Sequence, residues 1–163
     1  MIRIGISLGD VTGIGPEVTL KALAGEAGDA EVEYRILGDR AQVESMNQKL
    51  GLAVKVRVEQ PEHDPLPARL ESGAAEAARA AVAWVKAGAQ RCLKGELDAL
   101  VTAPVNKQAI VRAGIPFIGQ TELLSELAGT RRTAMMLLGQ DERGEERKEL
   151  RFEKKPWEIN REE

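Results

Sequence analysis

The sequence predicts an α/β fold carried by a largely parallel sheet. Three observations point there. Short apolar runs with strand periodicity alternate with longer segments of helical periodicity, the order of successive strand–helix–strand units. Glycine-rich turns stand where strand-like runs give way to helices. A long Ala-rich segment, 73–94, has the length and composition of a helix. The 163 residues suit one domain of ordinary size. A chain of that size buries roughly 70% of the surface its unfolded form exposes, so a core needs no staples.

The elements follow in order. Ile2, Ile4, Ile6 and Leu8 mark a first strand. Residues 16–24 read as a helix with Val18, Leu20 and Leu23 as its apolar positions. Pro16 suits the first turn of that helix, where its missing N–H would lack a partner anyway. Residues 32–37 form a second strand ending at Gly38-Asp39, and 40–50 a helix closed by Gly51. Val54, Val56 and Val58 alternate through a third strand, 53–58. Residues 59–67 hold three prolines and form a loop. In the Ala-rich helix, Ala74, Ala78, Ala81, Val82, Val85 and Ala89 line one face, and Trp84 is a packing residue. Residues 99–102 form a short buried strand. Helices over 105–113 and 121–128 are stopped by Gly114 and Gly129, and 133–138 is a last strand-like run.

Charge marks a change of character near Gly139. Nine acidic and seven basic residues crowd into 140–163, with few apolar ones. That segment is expected to be a solvated helix or disordered, and the chain divides into 1–139 and 140–163.

Composition excludes several classes. A net charge of −3 from 23 basic and 26 acidic residues is too balanced for a nucleic-acid binder. No run approaches the roughly 18 apolar residues of a membrane span, and the N-terminus lacks a signal-peptide pattern. The expected location is the cytoplasm, with a reduced thiol. The single cysteine, Cys92, allows no intramolecular disulfide or thiolate cluster, and it is read as packed rather than activated. The single histidine, His63, lies in the proline-rich loop and is read as a surface residue. No histidine-cluster metal site can be built from this chain alone.

Ligands in open α/β sheets collect at the carboxyl ends of strands, and three such ends carry polar residues. The first is Gly9-Asp10-Val11-Thr12-Gly13-Ile14-Gly15-Pro16-Glu17. Its glycine spacing is not that of a dinucleotide fingerprint, but amides at the following helix start can hold a phosphate or carboxylate. It is either a structural turn or an active-site loop, and Asp10 and Thr12 favour the latter. The second is Thr102-Ala103-Pro104-Val105-Asn106-Lys107, with a hydroxyl and a mobile cation suited to phosphate, or simply a solvated lysine on a helix start. The third is Gly119-Gln120-Thr121-Glu122, where Thr121 can cap the next helix and Glu122 favours its positive end. Gln120 stands out there as a polar amide at a loop–helix junction.

Together these residues resemble the 4-hydroxythreonine-4-phosphate dehydrogenase family. The resemblance rests on Ser7-Leu8-Gly9-Asp10 with Gly13-Ile14-Gly15-Pro16-Glu17, on Val101-Thr102-Ala103-Pro104-Val105-Asn106-Lys107, and on Ala113-Gly114-Ile115-Pro116-Phe117-Ile118-Gly119 with Thr121-Glu122. Met135-Met136-Leu137 matches a further run, and the likeness covers 1–139. It implies a three-layer α/β/α fold of the isocitrate/isopropylmalate dehydrogenase-like type, here truncated. It implies oxidation of 4-phosphohydroxy-L-threonine by NAD or NADP, with decarboxylation, in pyridoxal 5′-phosphate biosynthesis. It also implies a homodimer with a divalent metal held by three histidines at the dimer interface. Asp10, Thr102, Lys107, Gln120 and Thr121 are the substrate-binding residues it suggests; none is assigned a catalytic role.

The sequence departs from that pattern. Val11-Thr12 stands where the family usually has Pro-Ala, and Gln120 where it has a substrate-contacting histidine. Glutamine forms hydrogen bonds but does not titrate, and a general acid–base group typically contributes about 10²–10⁴ in rate. The chain reaches roughly half the family length, the metal histidines have no counterpart, and the charged tail resembles nothing in the family. The expectation is a fragment with little activity of its own, whose sheet exposes an unpaired edge and an apolar face, giving a marginal or aggregation-prone monomer. Two other readings remain: a paralogue acting on phosphorylated four-carbon sugar acids, and a non-catalytic module binding phosphorylated ligands.

Overall fold

A computed structural model describes residues 1–26, 31–62, 66, 67, 69–130, 133, 135–140 and 146–151. His63 lies outside the described residues. The chain divides into two compact units, Met1–Ala128 and Gly129–Glu163.

The first unit is a four-stranded parallel sheet with helices. Its strands are β1 (Ile2–Ser7), β2 (Val32–Leu37), β3 (Arg57–Glu59) and β4 (Ala99–Thr102), in the order β3-β2-β1-β4. Ile6 lies opposite Ile36 on one side and Val101 on the other. The helices are α1 (Gly15–Gly25), α2 (Arg40–Lys49), α3 (Ala75–Leu93), α4 (Lys107–Arg112) and α5 (Gln120–Leu127). The chain steps outward through β1, β2 and β3, then α3 carries it back to the far side of β1. That reversal makes the carboxyl ends of β1 and β4 the topological switch point of the sheet.

Local chemistry explains where several elements start and stop. Asp39 caps α2 by accepting the Gln42 N–H at 2.9 Å. Asn106 does the same for α4 through the Ala109 N–H at 3.0 Å, so that helix begins at Lys107 rather than at Val105. The third strand is shorter than its alternating valines suggest. The Val54 carbonyl accepts from the Asn47 side-chain amide at 3.1 Å and its N–H donates back at 3.4 Å, so this backbone is tied to α2 instead of a strand ladder.

Leu8, Leu20, Ile36, Leu37, Ala80 and Trp84 form the main core, and Ala78, Val82, Ala109 and Ile110 a second one. α3 sits between them and is buried on more than one face: Ala77, Ala80, Trp84 and Gly88 are buried as well as the expected stripe. Its sequence periodicity shows one stripe because alanine packs on either side without announcing a direction. At Gly88 the helix presses onto the sheet, where a Cβ would stand 2.5 Å from Leu100 Cδ1. Trp84 is fully buried, as expected of a packing residue.

β4 corrects the expectation of a buried strand. It is the last strand of this sheet, and Val101 is 51% exposed. Leu100 turns toward α3, so alternation sends Val101 to the opposite face.

The second unit contains an antiparallel pair, β5 (Met135–Gln140) and β6 (Glu146–Arg151), in which Met135 faces Arg151 and Gln140 faces Glu146. Residues 146–151 are therefore a strand, not the solvated helix or disorder their composition suggests. Backbone pairing sets the conformation here whatever the side-chain charge. The division between units falls after Ala128, and the change of charge near Gly139 lies inside β5.

Candidate functional site

The switch point gathers the three loops singled out in the sequence. After β1 the chain turns at Gly9, whose φ of +71° suits glycine, and a Cβ there would collide with the Pro104 carbonyl oxygen. The close approach lets the Asp10 N–H donate to that carbonyl at 2.9 Å. The Gln120 side chain donates to the neighbouring carbonyl, Ala103, at 3.1 Å. The β1–α1 loop and the start of α5 are thus hung on consecutive carbonyls of the β4–α4 turn.

Gln120 is not free to reach into solvent. Its Oε1 also accepts from the Thr102 hydroxyl at 3.1 Å, so both ends of the amide are engaged within the protein. It braces the first turn of α5 against the end of β4. Thr102 is held in the same bond.

α5 begins with Gly119 as its cap and has no side-chain cap bond. The sequence suggests Thr121 as the cap, but it is the second helical residue, and its hydroxyl makes no hydrogen bond among the described residues. Glycine at the cap leaves the first amides of the helix open, at its positive end. Two charges lean over this end. Lys107 Nζ lies 3.7 Å, and Glu122 Oε2 2.5 Å, from where a Cβ on Gly119 would stand. Lys107 is exposed and forms no ion pair among the described residues. Its stem, with Gln108, Val111 and Arg112, lines a shallow hollow of about 420 Å³.

Asp10 is 6% exposed. Its Oδ1 accepts both from the Thr12 N–H at 2.8 Å and from the Thr12 hydroxyl at 2.7 Å. Thr12 Oγ1 in turn accepts the Gly73 N–H at 2.9 Å. Gly73 is a site residue the sequence did not mark; its only signal is its place at the start of the Ala-rich helix. Burial pushes the Cys92 thiol up, consistent with a packed, unactivated residue. A larger hollow of about 650 Å³, beside Glu33, Tyr34 and Arg57, includes none of the expected site residues.

The described residues contain no group of three His, Cys, Asp or Glu side chains placed to hold a metal ion. With one histidine in the sequence, the three-histidine metal site implied by the resemblance does not fit on this chain's residues.

Fold and site define an α/β protein whose first unit brings three polar loops together at a sheet switch point. A family model described as pyridoxal phosphate biosynthetic protein PdxA matches residues 14–145. The chain belongs to the PdxA family. It is 37% identical over 148 residues to the 4-hydroxythreonine-4-phosphate dehydrogenase of Burkholderia vietnamiensis, covering 87% of this chain and 45% of that protein. It is 34% identical over 154 residues to the D-threonate 4-phosphate dehydrogenase of Cupriavidus necator, covering 83% and 45%. Among solved structures it resembles a 4-hydroxythreonine-4-phosphate dehydrogenase from Burkholderia phymatum, with a TM-score of 0.76 and 31% identity over 85% of this chain and 47% of the other. The chain therefore spans about 45% of the length of these curated relatives. The family match runs past Gly139 but omits the β1–α1 loop as far as Gly13.

Proposed function

We propose that Met1–Ala128 supplies the phosphate-receiving part of a site for a phosphorylated hydroxy acid, in an enzyme that oxidises it with NAD or NADP for pyridoxal 5′-phosphate biosynthesis. One observation supports this most directly: Lys107, with no ion pair among the described residues, stands beside the start of α5, which has no side-chain cap, at the switch point. In this reading the α5 amides, the Thr121 hydroxyl and Lys107 receive the phosphate. Gln120 and Thr102 hold α5 in place for it. The divalent metal finds no ligand set among the described residues, so this chain's residues are assigned binding and orientation only. The homodimer and the cytoplasmic location belong to the same proposal. No helix among the described residues is long and apolar enough to cross a membrane.

A second substrate has equal standing. Relatives named for 4-hydroxythreonine 4-phosphate and for D-threonate 4-phosphate match at 37% and 34% identity, and both ligands carry the phosphate this site would receive.

Calorimetric titration of the 163-residue chain tests the reading. Inorganic phosphate and 4-phosphohydroxy-L-threonine should both release or absorb heat, and the chain alone should form no NADH or NADPH from the latter. Absence of binding up to millimolar ligand would sink the proposed site; steady turnover by the chain alone would overturn the restriction to binding.

A further inference from the structure

The Thr12 hydroxyl joins two segments 61 residues apart. It gives its hydrogen to Asp10 Oδ1 and takes one from the Gly73 N–H at the start of α3. The backbone N–H of Thr12 adds a second bond to the same Asp10 oxygen. Oδ1 is thereby occupied twice and its direction set. Oδ2 makes no hydrogen bond among the described residues, and Asp10 joins no ion pair there, although the residue is more than nine-tenths buried. A carboxylate only accepts hydrogen bonds, and Oδ2 is not among the enclosed side-chain atoms left without a partner, so it stays open to a donor from outside the protein. The arrangement makes sense if something else supplies a donor.

Resting on the phosphate site at α5, we propose that Thr12 is a positioning residue that aims Asp10 Oδ2 at a hydroxyl or ammonium group of the phosphorylated ligand. The phosphate end is drawn to Lys107 and the α5 amides. The donor end is taken by Asp10, whose negative charge keeps the ligand's anionic groups away from the β1–α1 loop. Tethering to Gly73 matters because a loop residue free to rotate would let Asp10 turn either oxygen outward or collapse onto Gly13, whose position is already close to Oδ2. Serine at position 12 would preserve all of this; alanine would keep only the backbone bond.

The test compares affinities for 4-phosphohydroxy-L-threonine and for inorganic phosphate, measured by calorimetry on the full chain. The ratio isolates the donor end from the phosphate end. Thr12→Ala should lower that ratio about tenfold, the scale of one hydrogen bond to a charged group, and Thr12→Ser should restore it. Asp10→Asn, which turns the outward acceptor into a donor, should lower it at least as much and covers the case of a Thr12→Ala chain that fails to fold. D-threonate 4-phosphate carries a hydroxyl in place of the amino group: a loss confined to the amino ligand assigns the contact to the ammonium, and the same loss with both ligands shows that a hydroxyl suffices as the donor. An unchanged ratio in Thr12→Ala or Asp10→Asn, or a serine variant no better than alanine, overturns the proposal. If wild type binds neither ligand, the α5 phosphate site itself fails; if it binds phosphate and the variants keep the ratio, only Thr12's role fails.

Discussion

Lys107 and Glu122 lean toward the same point above Gly119, and their charges have opposite effects there. A carboxylate near a helix start is favourable to the helix, since it faces the partial positive charge of free amides. The same carboxylate stands where an incoming phosphate would compete for those amides. Lysine offsets it as a compact, mobile cation. The expected outcome is a pair of opposite shifts. Lys107→Ala should weaken inorganic phosphate binding about tenfold, and Glu122→Gln should strengthen it by roughly threefold, both shrinking as salt is raised. Calorimetry at two ionic strengths checks this; equal affinities in the two variants would remove both side chains from the site. Gln120 shows what one residue can hide. In the sequence it is a polar amide at a loop end, available for a ligand. In the structure both its polar ends are already taken, by Thr102 and Ala103. Residue type was readable; occupancy was not, because the partners come from another strand end.

At the level of elements, the sheet is pinned at the end opposite the site. Asp98, just before β4, accepts the Arg3 backbone N–H at 2.8 Å and its guanidinium at 3.0 Å through both oxygens, while the Asp98 N–H donates back to the Arg3 carbonyl at 2.8 Å. These hydrogen bonds from Arg3 hold the Asp98 carboxyl at about 2, below its ordinary 3.8. A lowered folded-state value means stability that is present above the unfolded value and lost as pH falls through the folded one. The pair's contribution should therefore be full at neutral pH and disappear between about pH 4 and pH 2. Asp98→Asn should flatten the acid-unfolding profile in that window, followed by circular dichroism. An unchanged profile would show that the clamp does not support the β1–β4 pairing. Element order was legible because the 2-residue and 3.6-residue periods are written in side-chain polarity. Ends were less so. β3 loses its early residues to Asn47, a bond from a neighbouring element, whereas α4 starts where Asn106 caps it locally and α5 starts after Gly119 with no side-chain cap bond.

Across the whole first unit, α3 is the part on which the rest leans. It packs against β1, β2 and β4 on one side and against α4 and α5 on the other. Glu59 draws in Arg35, Arg57 and Arg91, tying the end of α3 to β3 across the sheet edge. Trp84 has no exposed surface and belongs to the main core with Leu8, Leu20, Ile36 and Leu37. Trp84→Ala should destabilise the chain by about 3–5 kcal/mol, the usual cost of emptying a large aromatic from a core. Urea unfolding would report it as a lower midpoint with an unchanged slope. A loss below about 1 kcal/mol would mean that the helix settles onto the sheet without it, against the close approach seen at Gly88.

The sequence alone determined the α/β class, the order of strands and helices in the first unit, the family, and the three loops that carry the polar residues. These are local matters: periodicity, turn chemistry and short runs of particular residues. Tertiary structure decided that β4 lies beside β1 at the edge of the sheet, that residues 146–151 form a strand, and that Gly73 is linked to Asp10 through Thr12. It also decided which polar groups are spent inside the protein and which face outward. Those outcomes depend on what a distant segment brings within 3 Å, and a linear string of side chains does not contain that distance.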